Sequence, residues 1–143
     1  MENIQFKVLS INDIDKMRAV IEDDNMIFNS EQIESFMKND TTVAIGAIVD
    51  DKIIGLAYGY NLERLNGKNM FYLHSVGLLP DYQNQGIGSK LMKYVSNWAK
   101  ENGYSEMFVI TERSNPRACK VYSGAGGISE HDDEVVFVFD YEK

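Results

Sequence analysis

The segment Leu78-Leu79-Pro80-Asp81-Tyr82-Gln83-Asn84-Gln85-Gly86-Ile87-Gly88-Ser89-Lys90-Leu91-Met92 joins an apolar strand to an amphipathic helix through a glycine-containing turn. Gly86 and Gly88 let the backbone approach a ligand closely. Consecutive N–H groups at a helix start, aided by the helix dipole, bind phosphate oxygens without a cationic side chain. The segment therefore points to a phosphate ester as ligand.

The flanking pattern predicts one α/β domain over residues 1–143. A strand at 6–9 precedes helical spacing through Ile14, Met17, Val20 and Ile21, and a second helix at 30–39 has Asn29 or Ser30 as its cap. Strands at 41–49 and 52–60 flank Asp50-Asp51, which suits a tight hairpin, and a longer loop over 62–69 leads into a strand at 70–79. A helix from Ile87 stops at Gly103, and a strand follows at 106–111. Asn115-Pro116 reads as an N-cap with proline at the first helical position, and that helix stops at Gly124 to Gly127. The apolar run Val135-Val136-Phe137-Val138-Phe139 is expected to close the chain as a strand.

Composition narrows the partners. A net charge of −8 disfavours nucleic acid, whose binding rests on neutralising phosphates. The charge is unevenly spread: residues 83–120 hold six cations against three acids, whereas residues 129–143 hold six acids and one lysine. A basic half suits an anionic cosubstrate and an acidic tail suits a cationic acceptor; a solubilising acidic surface is the alternative. The single cysteine, Cys119, fits a reducing compartment, and no His/Cys spacing suggests a metal site. With no apolar run of membrane-spanning length and no signal-peptide pattern at Met1-Glu2-Asn3-Ile4-Gln5, the expectation is a cytoplasmic protein with no membrane partner.

Two phosphate-loop families fail on residues. GxxxxGK[ST] is absent, and the third glycine of GxGxxG is Leu91 here, although Glu106 lies near the distance at which that fingerprint places an acid. Gln83-Asn84-Gln85-Gly86-Ile87-Gly88 instead resembles the [RQ]xxGx[GA] pyrophosphate loop of the GNAT superfamily of N-acetyltransferases. Asn115-Pro116-Arg117-Ala118-Cys119-Lys120-Val121-Tyr122 is similar to that family's NxxAxxxY pattern. The resemblance runs from about residue 4 to the end. It implies a mixed, mostly antiparallel sheet with helices on both faces and splayed central strands.

The resemblance further implies acetyl-CoA as cosubstrate, without a metal. Gln83, Asn84, Gln85, Gly86, Ile87, Gly88 and Ser89 would hold the pyrophosphate, and Asn115 would sit near the pantetheine arm. Val76, Gly77 and Leu78 would pair with that arm, their N–H groups polarising the thioester carbonyl, with a bulge expected at Gly77. Tyr122 would donate a proton to the departing thiolate. Asn115 also reads as a plain helix cap, and Tyr122 as a core tyrosine.

Strand alternation places Tyr72, His74 and Val76 on one face, making Tyr72 an acceptor contact and His74 a candidate base. Glu112 and the run Asp132-Asp133-Glu134 are rivals for that role or for steering a cationic amine. The segment from Gly126 to Asp140 is similar to GNAT-type aminoglycoside 3-N-acetyltransferases, so an aminoglycoside-like or polyamine acceptor is expected. A protein N-terminal or lysine acceptor, and a non-catalytic acetyl-CoA-binding sensor, are the alternatives. A homodimer would suit the exposed strand ends and the apolar residues of the first two helices.

Overall fold

The computed structural model describes residues 3–129 and 133–142. Among them, five strands form one sheet in the order β1-β2-β3-β4-β5: β1 (Gln5–Val8), β2 (Thr42–Val49), β3 (Lys52–Leu62), β4 (Met70–Leu78) and β5 (Glu106–Val109). Neighbouring strands run antiparallel except β4 and β5, which are parallel. The β2–β3 hairpin turns at Asp50 and Asp51, with φ of 50° and 64°. Two left-handed residues make the turn whose twist matches the flanking strands, and aspartate tolerates that region better than most side chains.

Four α-helices flank the sheet: α1 (Arg18–Asp23), α2 (Ser30–Lys38), α3 (Ile87–Glu101) and α4 (Pro116–Gly124). On one face, Val20 and Ile21 of α1, with Ile33 and Phe36 of α2, meet Ala44 and Leu56. On the other, Leu91, Met92 and Val95 of α3 meet Ile45, Ala57, Phe71 and Leu73. Adjacent residues such as Ala44 and Ile45 serve opposite faces, so β2 and β3 are apolar on both. Helices thus cover both sides of the sheet, as the resemblance implies.

The helix expected at 11–21 begins instead as a 3₁₀ segment over Ile11–Met17 before α1. Asn12, Asp13 and Asp15 are weak helix formers that compete for backbone groups. Asp13 is buried, and its carboxylate accepts from the Ser10 N–H at 2.8 Å and from Lys7 Nζ at 3.2 Å. Burial by itself would raise its pKa, but the Ser10 N–H, Lys7 and the Ser10 hydroxyl together hold it below the ordinary 3.8. Its stabilisation is therefore full above the unfolded carboxylate's pKa and disappears as pH falls through the lower folded value. Asp13→Ala should cost about 1–3 kcal/mol at neutral pH through the lost cap and the orphaned Ser10 N–H. Urea unfolding at pH 7 and pH 3 should show that difference shrinking with acid.

The expected closing strand is not formed. Residues 135–139 have no strand pairing, and their side chains are exposed. A strand pattern records an apolar demand but supplies no ladder partner, and β5 is paired here with β4 alone.

Candidate active site

Strand β4 outruns its partner. Its pairing with β5 covers Met70 to Leu73 against Glu106 to Val109, while its pairing with β3 continues to Leu78 opposite Gly55. From His74 to Leu78 the β5-side edge of β4 is therefore open. The register with β3 slips between Tyr58 and Gly59: Tyr58 faces Ser75 and Gly59 faces Leu73, leaving His74 as the extra residue. A bulge increases twist and bends the strand at the point where β4 and β5 part.

The bulge corrects two expectations. It lies at His74, whereas Gly77 is in register opposite Leu56. It also reverses the alternation: Tyr72 and His74 remain on the α1/α2 side, but Val76 packs with the α3 cluster, and Ser75 instead hydrogen-bonds Tyr58. Val76, Gly77, Leu78 and Gln83 do come together, lining one cleft with Asp23 and Asp24 from the end of α1.

Beyond β4, a 3₁₀ turn at Pro80–Tyr82 leads to Gln83, Asn84 (φ 62°) and Gly86 (φ 83°), the N-cap of α3. Gly86 offers no side chain to cap the helix, the first turn holds no acid, and the helix ladder begins with Lys90 N–H to the Gly86 carbonyl at 3.3 Å. The N–H groups of Ile87, Gly88 and Ser89 thus lie ahead of that ladder, as a bound anion requires. A Cβ built on Gly86 would meet nothing within 4 Å, and one on Gly88 only Leu78 Cδ1 at 3.7 Å. The Gln83 amide donates to the Leu78 carbonyl at 3.0 Å, tying the loop to β4, and accepts from Arg117 Nη1 at 3.3 Å. Arg117 brings from α4 the positive charge that a glutamine at position 83 does not supply. These features fit a pyrophosphate. Gln85 is turned aside, its amide donating to the Asp81 carbonyl at 2.9 Å.

Helix α4 begins as expected: the Asn115 side chain accepts from the Ala118 N–H at 3.1 Å, and Pro116 follows. It ends on the glycine pair. Gly126 (φ 104°) donates to the Ser123 carbonyl at 3.1 Å and Gly127 to the Tyr122 carbonyl at 2.9 Å, a Schellman closure. A Cβ on Gly127 would lie 2.9 Å from that same carbonyl oxygen. The glycine pair therefore has a structural cause, fixing the turn of helix that carries Tyr122. Tyr122 is half-buried against the α3 cluster; burial, then Cys119, pushes its phenol above 10.0. A phenol so raised stays protonated at neutral pH, as a proton donor must.

On the α1/α2 side, Tyr58, Tyr60, Tyr72 and His74 form an aromatic shelf, with Tyr72 stacked on Phe108 at 5.0 Å. His74 is exposed, and its Nδ1 lies 2.9 Å from the Tyr72 hydroxyl. When Nδ1 carries the proton and donates to that oxygen, Nε2 is left with a free lone pair. Burial, and then the charges of Tyr60 and Asp24, raise the Tyr58 phenol, so Asp24 lies within electrostatic reach of the shelf.

The other acids are not gathered there. Glu112 is exposed in the turn before α4, where it accepts from Ser114 Oγ at 3.3 Å and its carbonyl receives Asn115 N–H and Cys119 Sγ. Asp133 and Glu134 are exposed and do not line the cleft, and Asp132 lies outside the described residues. Cys119 is half-buried. Sequence reading missed Asp23 and Asp24, since a polar Asp-Asp-Asn run after a helix looks like an ordinary helix end some sixty residues from the glycine loop. Arg117, hidden in a variable position of the second motif, carried no separate signal.

The comparisons agree with this geometry. The acetyltransferase (GNAT) family profile matches residues 10–126. Thialysine N-epsilon-acetyltransferase of Bos taurus is 33% identical over 69 residues, covering 48% of this chain and 40% of that protein. Its Mus musculus counterpart is 31% identical over 94 residues, covering 61% and 55%. The matches thus span about half or less of those relatives. An aminoglycoside acetyltransferase from an uncultured soil metagenomic sample, solved with trehalose, superposes with a TM-score of 0.83 at 26% identity over 98% of this chain and 97% of that one. Aminoglycoside N-acetyltransferase AAC(6')-Iy with CoA shares the fold, with a TM-score of 0.79 at 19% identity over 99% and 97% of the two chains. The loop before α3, the open edge of β4 and a profile match across most of the chain lead to one assignment: this protein belongs to the acetyltransferase (GNAT) family.

Proposed function

We propose that the protein moves an acetyl group from acetyl-CoA directly to a primary amine of a small cationic acceptor. The open edge of β4 from His74 to Leu78, continuous with the uncapped start of α3, is the observation that carries this reading. A strand with one unpaired edge can take an extended pantetheine arm as a surrogate strand, and the α3 N–H groups with Arg117 hold the pyrophosphate at its end. Backbone N–H groups of Val76 to Leu78 polarise the thioester carbonyl, their positions fixed by pairing with β3. The amine attacks that carbon, the C–S bond breaks, and Tyr122 gives its proton to the leaving sulfur from the α4 side of the gap. The ammonium proton formed by attack leaves through His74 Nε2 or a water held there. No covalent bond to the enzyme forms.

Asp23 and Asp24 beside the cleft, with the aromatic shelf, suit an acceptor carrying more than one positive charge. This agrees with the aminoglycoside and thialysine enzymes among its relatives. Thiol release from acetyl-CoA, screened over aminoglycosides, polyamines, amino acids and peptides, tests the reading. Release is expected only with an amine present, and fastest with polycations. Acetyl-CoA binding without release for any amine would instead identify a non-catalytic binding domain. Asp24→Asn should raise KM for the best polycation by about 10-fold, the value of one charge-assisted contact, with kcat nearly unchanged. Equal KM in the two proteins would remove Asp24 from acceptor recognition.

A further inference from the structure

The side chain of Gln83 is engaged at both ends within the protein. Its Nε2 donates to the Leu78 carbonyl at 3.0 Å, and its Oε1 accepts from Arg117 Nη1 at 3.3 Å, 34 residues further along the chain. A carbonyl can only accept and a guanidinium can only donate, so the two partners fix which end of the amide is which. The Leu78 carbonyl belongs to the open edge of β4. Leu79 N–H bonds the Ile54 carbonyl at 2.9 Å, so the backbone groups of Leu79 face β3, and those of Leu78, one residue earlier in an alternating ladder, face the other way. Gln83 therefore closes the end of that edge with one atom and holds a cation with the other.

Arg117 stands against its local electrostatics. It follows Pro116 in the first turn of α4, where a cation opposes the positive end of the helix dipole. No acid stands in that turn, and among the described residues no ion pair includes Arg117. Its charge is thus available to an anion, and the guanidinium keeps most of its donors after the bond to Gln83.

We propose that Gln83 is a positioning residue, which holds the Arg117 guanidinium at the phosphate end of the cosubstrate and does not itself bind the phosphates. The assignment rests on the acetyl-CoA reading given above. An arginine at position 83 could not play this part, because a guanidinium accepts no hydrogen bond and two of them side by side repel. Glutamine and arginine form one unit, in which the neutral member sets the charged one. Loss of either removes the same contribution, so their effects on affinity should not add.

Calorimetric titration of acetyl-CoA into the wild-type chain, Gln83→Met, Arg117→Met and the double variant tests the pairing. Methionine keeps much of the apolar stem of both side chains and removes their polar groups. Arg117→Met should raise the dissociation constant about 10-fold, the value of one charge-assisted contact. Gln83→Met should raise it about 5-fold, and the double variant about 10-fold, against the roughly 50-fold of two independent contacts. Salt separates positioning from a loosened loop. Raising ionic strength from roughly 0.05 M to 0.5 M should weaken wild-type binding more steeply than binding by Gln83→Met, although that substitution changes no charge. A double variant that loses the product of the two single effects overturns the proposal, as does a Gln83→Met protein with the wild-type salt response. Absence of wild-type binding overturns the acetyl-CoA reading and the pairing together, whereas additive losses in a chain that binds overturn the pairing alone.

Discussion

Replacing Tyr122 by phenylalanine is expected to lower kcat on the order of 10²-fold while leaving the acetyl-CoA dissociation constant nearly unchanged. The ring stays, so its packing against the α3 cluster is kept, and only the proton on the phenol oxygen is removed. A departing thiolate is stabilised when a positioned group gives it a proton as the C–S bond breaks. The lost donor therefore acts on the transition state and not on binding. Stopped-flow measurement of thiol release, with calorimetric titration of acetyl-CoA, separates the two quantities. An unchanged kcat would leave Tyr122 as a core tyrosine and pass proton donation to solvent.

The second large effect concerns the phosphate end. Gly88→Leu should weaken acetyl-CoA binding by at least about 10²-fold, because a side chain there occupies the space into which the α3 N–H groups point. The fold should tolerate it: a Cβ at this position meets Leu78 Cδ1 at an ordinary 3.7 Å, and leucine is a better helix former than glycine. The thermal midpoint should therefore hold or rise as affinity collapses. Gly86→Leu would give a less clean answer, since φ of 83° strains any side chain and mixes instability with lost binding. Retained affinity in Gly88→Leu would move the phosphate site elsewhere.

Local chemistry made the loop and the second motif legible. The cap at Asn115, the proline after it and the glycines before α3 act over a few residues, so their spacing in the chain is their geometry in space. Longer-range features were read less well. Assigning Tyr72, His74 and Val76 to one face assumed unbroken alternation, and the bulge at His74 reversed it. The signal was on the neighbouring strand: a Cβ on Gly59 would sit 2.2 Å from the Tyr72 carbonyl, so β3 needs a glycine where the register slips. Glu112 looked like a base because it follows β5, but the turn into α4 draws its carboxylate to Ser114. The run at 135–139 reads as a strand from its apolar residues, yet it has no strand pairing, because a strand also needs a ladder partner that no local pattern encodes.

The bulge at His74 gives β4 a change of phase with an evolutionary consequence. Before it, Tyr72 and His74 belong to the aromatic shelf. After it, Val76 to Leu78 contribute chiefly backbone, locked by β3 and the core. On the proposed reading, substitutions at the first group would retune which amine is taken without moving the backbone groups proposed to act on the thioester. One strand would thus leave its proposed recognition surface free to drift while the backbone beyond the bulge stays fixed.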